Sequence, residues 1–344
     1  MSEKRVGKQS IVFNDPPIIV SYASVAGKKE SEGPQGKYYD IASDTDLFQG
    51  KNWEEAESRM QLMAANTALE KSSFKSEDID YIVAGDLLGQ LMATSFGIKQ
   101  LEIPLFGVYG ACSTMGESLA LSAMLIDGNY ADRVVCLTSS HFATAEKQFR
   151  FPLGYGNQRP LSATTTVTGS GALVVTSPRC NKVDLNKTQL RITGITTGKI
   201  VDYGIKDPNN MGAAMAPAAY DLISCHAKDF NTDFSDYDCV VTGDLGMVGT
   251  NILYDMLKTE NISIENIHMD CGMHVYDRKK QDAHSGGSGC GCAAITLCGP
   301  ILKKMMDKTW KKILFIPTGA LMSTVSFHEG NTIPGIAHGV VIEA

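Results

Sequence analysis

The chain of 344 residues predicts an α/β fold made of two similar halves. Three observations carry that prediction. The segment Asp78-Ile-Asp-Tyr-Ile-Val-Ala-Gly-Asp86-Leu87 returns 158 residues later as Asp236-Tyr-Asp-Cys-Val-Val-Thr-Gly-Asp244-Leu245, close to half a chain away. In both copies an acidic lead-in feeds a short apolar run that stops at Gly-Asp-Leu, as a buried parallel strand does where it ends in a turn. Short apolar runs alternate with helical periodicity along the whole sequence, which implies parallel crossovers and stacked α and β layers. No linker or low-complexity segment intervenes, so halves of residues 1–180 and 181–344 form one interlocked body.

The first half opens with an apolar run, Pro17-Ile-Ile-Val20, and a loop rich in Gly, Lys and Glu over 27–36. Asn52 is placed to cap a helix, with Glu55 completing the arrangement, and Ala56, Met60, Met63 and Thr67 mark its apolar stripe. A strand at Tyr81–Ala84 leads to a helix over about 89–100, and Ile103–Tyr109 predicts a buried strand ending at Gly110-Ala111-Cys112. Helical spacing resumes from Cys112, and Val134–Thr138 is a strand. Thr164–Thr168 and Ala172–Thr176 flank Gly169-Ser170-Gly171 as a hairpin would.

The second half repeats the order. A helix over 211–228 precedes strand Cys239–Thr242, and a helix over 246–258 follows. Gly286-Gly-Ser-Gly289 opens a helix reaching about Lys304, Ile313–Pro317 corresponds to Val134–Thr138, and Ile336–Ile342 closes the second sheet.

Composition removes several function classes. With 43% apolar and 20% charged residues the chain can bury a sizeable core. A net charge of −7 gives nucleic acid no electrostatic footprint. Short basic clusters such as Lys303-Lys304 are mixed with acids and belong to solvated helix surface. Nine cysteines without a disulfide rhythm, no secretory apolar region and no 18-residue apolar run predict free thiols and synthesis in a reducing cytoplasm.

Cys112 is the strongest candidate for chemistry. A thiol at a strand-to-helix turn lies beside free N–H groups and the positive helix end, which lower thiol pKa and attract anions. The competing expectation is a small buried hydrophobe, the usual fate of a free Cys. Cys271-x-x-His274 with Cys290-x-Cys292 has the residue types of a zinc site, but the Cys290 pair falls where small residues open a helix for close packing. His284 is read as a loop residue. The glycines near 169 and 287 do not follow a first strand with an acid some 20 positions on, which excludes dinucleotide binding. Asp86 and Asp244 stand at matching strand ends, where α/β sheets place ligands.

These residues resemble a known family. The order of strands and helices around Gly110-Ala-Cys112, repeated with Gly-Gly-Ser-Gly at the matching helix start, is similar to the thiolase superfamily and its ketoacyl synthases. Longer strings resemble the stage V sporulation protein AD family over nearly the whole chain: Lys51-Asn-Trp53, Ala84-Gly-Asp-Leu-Leu88, Gly110-Ala-Cys-Ser-Thr114, Thr138-Ser-Ser-His141, Gln148-Phe-Arg150, Met215-Ala-Pro-Ala218 and Gly286-Gly-Ser-Gly-Cys290 among them. The resemblance implies a five-layer α/β/α/β/α fold with two pseudo-twofold-related halves, and a homodimer by analogy. It further implies binding of dipicolinic acid, free or as its calcium chelate, during uptake into the forming spore. Membrane-spanning proteins of the same operon would be partners, and the chain would attach peripherally to the spore inner membrane. No cofactor, metal centre or nucleic-acid partner is expected.

The synthase comparison breaks at the catalytic set. Such enzymes add a His, then a His or Asn, from the second half to activate the thiol and hold an oxyanion. Here the strand end reads Thr242-Gly243-Asp244-Leu245 and the loop Gly286-Gly-Ser-Gly289, with neither residue. A non-catalytic ligand site is therefore expected at Cys112, Ser113, Asp86, His141, Asp244, Gly287 and Ser288. In it the helix start meets a carboxylate, the glycines leave room for the ring, and Asp86 meets chelated calcium. The alternative is an acyltransferase using Cys112.

Overall fold

The computed structural model describes residues 4–149, 159–180 and 189–344. Arg150 of the Gln148-Phe149-Arg150 string lies outside them, as does the start of the second half at 181.

Five strands form the first sheet: β1 (Ile18–Ala26), β2 (Tyr81–Asp86), β3 (Leu105–Gly107), β4 (Arg133–Ser140) and β5 (Gly169–Thr176). Five more form the second: β6 (Leu190–Thr197), β7 (Cys239–Thr242), β8 (His268–Asp270), β9 (Lys312–Ile316) and β10 (Gly335–Glu343). The strands run β1-β5-β4-β2-β3 in one sheet and β6-β10-β9-β7-β8 in the other. Directions match too: in each half the first pairings are antiparallel and the last two parallel. The repeated sequence segments thus form equivalent strands, β2 and β7, each one place in from its sheet's edge. The sheets join where Ile18 and Ile19 of β1 lie opposite Arg191 and Leu190 of β6.

Helices complete the layers. Helix α1 (Trp53–Ser72), with α2 (Met92–Ile98) against it, covers the outer face of the first sheet. Helix α3 (Thr114–Asp127) follows the Cys112 turn. Helix α4 (Met211–Phe230) covers the second sheet, α5 (Gly246–Lys258) packs on α4, and α6 (Cys290–Thr296) opens after the glycine segment. Helices α3 and α6 lie between the sheets, α3 touching β2 and β4 on one side and β10 on the other. One core cluster spans this middle layer, joining Leu119 and Leu173 to Ala294, Phe315 and Ile342. The halves therefore share a core.

Local chemistry explains the boundaries. Asn52 accepts the Glu55 amide at 2.9 Å, and the Glu55 carboxylate returns to the Lys51 amide, so α1 is capped from both sides. Its buried face holds Ala56 and Met60 as expected, but also Glu57 and Gln61. Three expectations change. The apolar stretch at 103–109 supplies only the edge strand β3, whose Leu105 and Phe106 are 41% and 48% exposed. Gly169 and Gly171 are not a hairpin turn but lie inside β5. There α6 approaches so closely that a Cβ on Gly171 would meet the Ala294 carbonyl at 2.8 Å. The helix opened by Gly289 passes through a π turn at Leu297–Ile301 around Pro300, which cannot donate, before resuming at Leu302–Met306.

Candidate functional site

The turn before α3 is tightly specified. Ala111 adopts φ +49°, the left-handed region that a side chain resists. The Ser113 hydroxyl donates to the Gly110 carbonyl at 2.7 Å, and that of Thr114 to the Ala111 carbonyl at 2.6 Å. Ser113 is fully buried and spends its hydroxyl on the turn. Gly319 from the second half packs onto this turn, where a Cβ would come within 2.1 Å of the Gly110 carbonyl.

Cys112 is 3% exposed and meets Asp244 across the half-to-half boundary. The Asp244 carboxyl accepts the Ser288 hydroxyl at 2.9 Å, the Gly289 amide at 2.8 Å and the Thr318 hydroxyl at 3.3 Å, and hydrogen-bonds the Cys112 thiol. Burial lifts its pKa to about 7. The thiol itself is pushed well above its usual value, first by burial and then by Asp244. The helix start alone predicted a lowered thiol pKa, and a charged Asp244 predicted a raised one. Desolvation and the facing carboxyl outweigh the one favourable donor, the Gly289 amide.

The glycine segment does not make room. Gly286 (φ +131°) and Gly289 (φ +98°) occupy backbone conformations closed to other residues, and a Cβ on Gly289 would meet the Ser140 hydroxyl at 2.7 Å. Gly287 and Ser288 pair with Thr165 and Thr166 in a short parallel ladder. Space lies instead in a cleft of about 580 Å³ between the halves, lined by Glu57, Asp86, Tyr109, Thr144 and Met322 among others. A chamber of about 40 Å³ at Cys112 and Ser288 adjoins it, sharing Leu87, Tyr109, Phe149 and Met322 in its walls. At roughly 10–15 Å³ per water, that chamber has room for a few waters but not for an aromatic ring.

Asp86 and His141 take other roles. One Asp86 oxygen accepts the Leu88 amide at 3.0 Å; the other accepts the Thr94 amide at 3.0 Å and the Thr94 hydroxyl at 2.7 Å. Its carboxyl lines the cleft while its oxygens also hold the turn and helix α2. His141 lies outside both cavities. Its Nδ1 accepts the Ala143 amide and its Nε2 faces the Asp46 carbonyl at 2.7 Å, which fixes the ring as a loop brace. Among the described residues no group of three or more His, Cys, Asp or Glu side chains is placed to hold a metal.

Sequence reasoning missed Glu57, Tyr109, Thr144 and Met322. It also missed that Cys290 mirrors Cys112. Each thiol opens a middle-layer helix in one half and lies near the strand-end Asp of the other, Asp244 for Cys112 and Asp86 for Cys290. Cys290 is sealed off, its thiol donating to the Ser139 carbonyl at 2.8 Å. Polar residues four apart on the apolar face of α1, Glu57 and Gln61, were the available signal for the cleft wall.

Comparison with known proteins places this geometry. A family model described as stage V sporulation protein AD matches residues 7–343. The chain belongs to that family. Stage V sporulation protein AD of Bacillus subtilis (strain 168) is 42% identical over 340 residues, covering 99% of this chain and 98% of the relative. Solved structures of condensing enzymes share the fold at much lower identity. The 3-oxoacyl-[acyl-carrier-protein] synthase III of Aquifex aeolicus matches with a TM-score of 0.58 at 13% identity, over 95% of this chain and 100% of its own. OleA of Xanthomonas campestris with bound lauric acid and lauroyl-CoA gives 0.60 at 13% identity, over 96% and 99%. This member of the sporulation family is therefore a thiolase-like α/β/α/β/α protein whose Cys112 faces a carboxyl group.

Proposed function

We propose that the chain is a non-catalytic binder of dipicolinic acid, as the free acid or its calcium chelate, acting in loading of the developing spore. The carrying observation is the Cys112–Asp244 pair. A nucleophilic thiol needs a base or cation that stabilises the thiolate, and an oxyanion needs donors. The residue facing Cys112 is an acid that raises the thiol pKa and, when ionised, repels an oxyanion. The cleft is the right size for a small aromatic ligand. Family membership ties the chain to sporulation, and the resemblance that introduced dipicolinate supplies the ligand.

Titration calorimetry with dipicolinate, with and without calcium, tests this reading; no heat and no thermal stabilisation from either form would end it. The acyltransferase alternative draws on one observation, a cleft that reaches a thiol at a helix start in a fold shared with condensing enzymes. It requires a stable acyl mass on Cys112 after incubation with an acyl-coenzyme A.

Among the described residues no helix is long and apolar enough to cross a membrane. Attachment to the spore inner membrane would therefore run through the membrane-spanning proteins of the same operon. A homodimer is proposed through β3: the edge exposes Leu105 and Phe106, and Met92 and Phe96 on α2 are also exposed.

A further inference from the structure

We propose that Glu57 recognises the ligand as an uncharged carboxylic acid, donating its O–H to a ligand carboxylate in the outer cleft. The inference rests on the binding function proposed above and adds a residue that sets which ligand ends are accepted. Glu57 stands on the buried face of α1 and forms part of the cleft wall, 2% exposed. One oxygen accepts the Ser139 hydroxyl at 2.9 Å and the other accepts the Thr144 hydroxyl at 2.8 Å.

Thr144 has a second acceptor, the His141 carbonyl, at 3.0 Å. Its single proton can therefore point to Glu57 or away from it. The protonated acid is satisfied either way: with no ligand it donates to Thr144, which turns to His141. With a carboxylate in the cleft, the acid proton turns outward and Thr144 turns back.

The hydroxyls of Ser139 and Thr144 favour the Glu57 charge, but burial and the titratable groups facing it disfavour that charge more strongly. Glu54 lies on its own helix, Asp86 comes from β2 and Cys290 from α6. The described walls of the cleft and inner chamber carry carboxyls and hydroxyls but no Lys or Arg. Burial, then Asp86, lifts Glu57 to about 8. An acid held neutral near pH 7 by an apolar or acidic setting is an established way for a protein to donate a hydrogen bond. A hydrogen bond from it to an ionised carboxylate is charge-assisted and short. At Glu57 the ligand carboxylate then meets a donor instead of a second charge.

Two measurements test this on the full-length protein. The wild-type-minus-Glu57→Gln infrared difference without ligand should contain a protonated-carboxyl component at about pH 7, over the shared bands of the other buried acids. Its absence would overturn the proposal whatever the ligand proves to be. Calorimetry with calcium-free dipicolinate should then show affinity falling roughly tenfold per pH unit above about pH 8. Glu57→Gln, whose amide still donates, should retain binding within about tenfold and lose that pH dependence. A flat wild-type profile, or an unchanged profile in Glu57→Gln, would refute the role of Glu57 while leaving dipicolinate binding intact. Proton release with affinity rising at higher pH, seen with the calcium chelate, would instead make Glu57 an anionic cation ligand and also refute it. No binding of either form at any pH would reject the binding function itself, and with it this role.

Discussion

Replacing Asp244 by Asn should remove a measurable part of the protein's pH-dependent stability. Folding raises the Asp244 pKa from 3.8 to about 7 because burial penalises the ionised form. A raised pKa means that the folded state holds a proton the unfolded chain has lost. The stabilising contribution is complete below pH 3.8 and is lost as pH rises towards about 7. At about 1.4 kcal/mol per pH unit, the rise amounts to roughly 4 kcal/mol. Asn keeps the oxygen for the Ser288 hydroxyl and the Gly289 amide, while its NH2 can donate to Thr318. Asp244→Asn should therefore match the wild type below pH 3.8 and exceed it by a margin that grows up to about pH 7 and is constant above. Glu57, Asp270 and Glu30 are also raised by burial, so both curves will slope and their difference isolates Asp244. Urea unfolding followed by tryptophan fluorescence and circular dichroism across this range gives both curves. Parallel curves would show that Asp244 is ionised throughout and that its burial has been misjudged.

Other outcomes follow from the same contacts. Cys112→Ser should fold and change dipicolinate affinity only moderately, whereas Cys112→Phe or alkylation of the thiol should block binding without unfolding, as calorimetry and circular dichroism would report. Asp86→Asn loses an acceptor for Thr94, so it should destabilise by about 1–2 kcal/mol in urea unfolding and weaken free and calcium-bound dipicolinate alike. A selective loss of the chelate would restore a calcium role. Phe106→Glu should shift the mass measured by light scattering from dimer to monomer; an unchanged mass would exclude β3 as the contact.

The sequence disclosed most of the frame because the frame depends on short-range signals. Cys239–Thr242 and Gly246–Lys258 end where the apolar run and the helical spacing end. The strand at 103–109 misled because an edge strand can be as apolar in sequence as a central one, and only the fold shows Leu105 and Phe106 exposed. The glycines after 285 suggested space, whereas their positive φ and close neighbours belong to dense packing. Cys112 was legible as a turn thiol, but its pKa is set by burial and by a carboxyl 132 positions away in sequence. Glu57 escaped because a charged residue on a helix is ordinarily assigned to solvent, and only the tertiary fold brings Ser139 and Thr144 to it.

The crosswise pairing of thiols and acids has a consequence for how occupancy reads out. Cys112 and Glu57 belong to one half, while Ser288 and Met322 belong to the other, so neither half contains a complete cleft. A ligand seated there clamps the two repeats together, and its binding energy is also docking energy between them. Occupied protein should consequently protect amides of both halves from exchange in a single concerted step, as one cooperative unit.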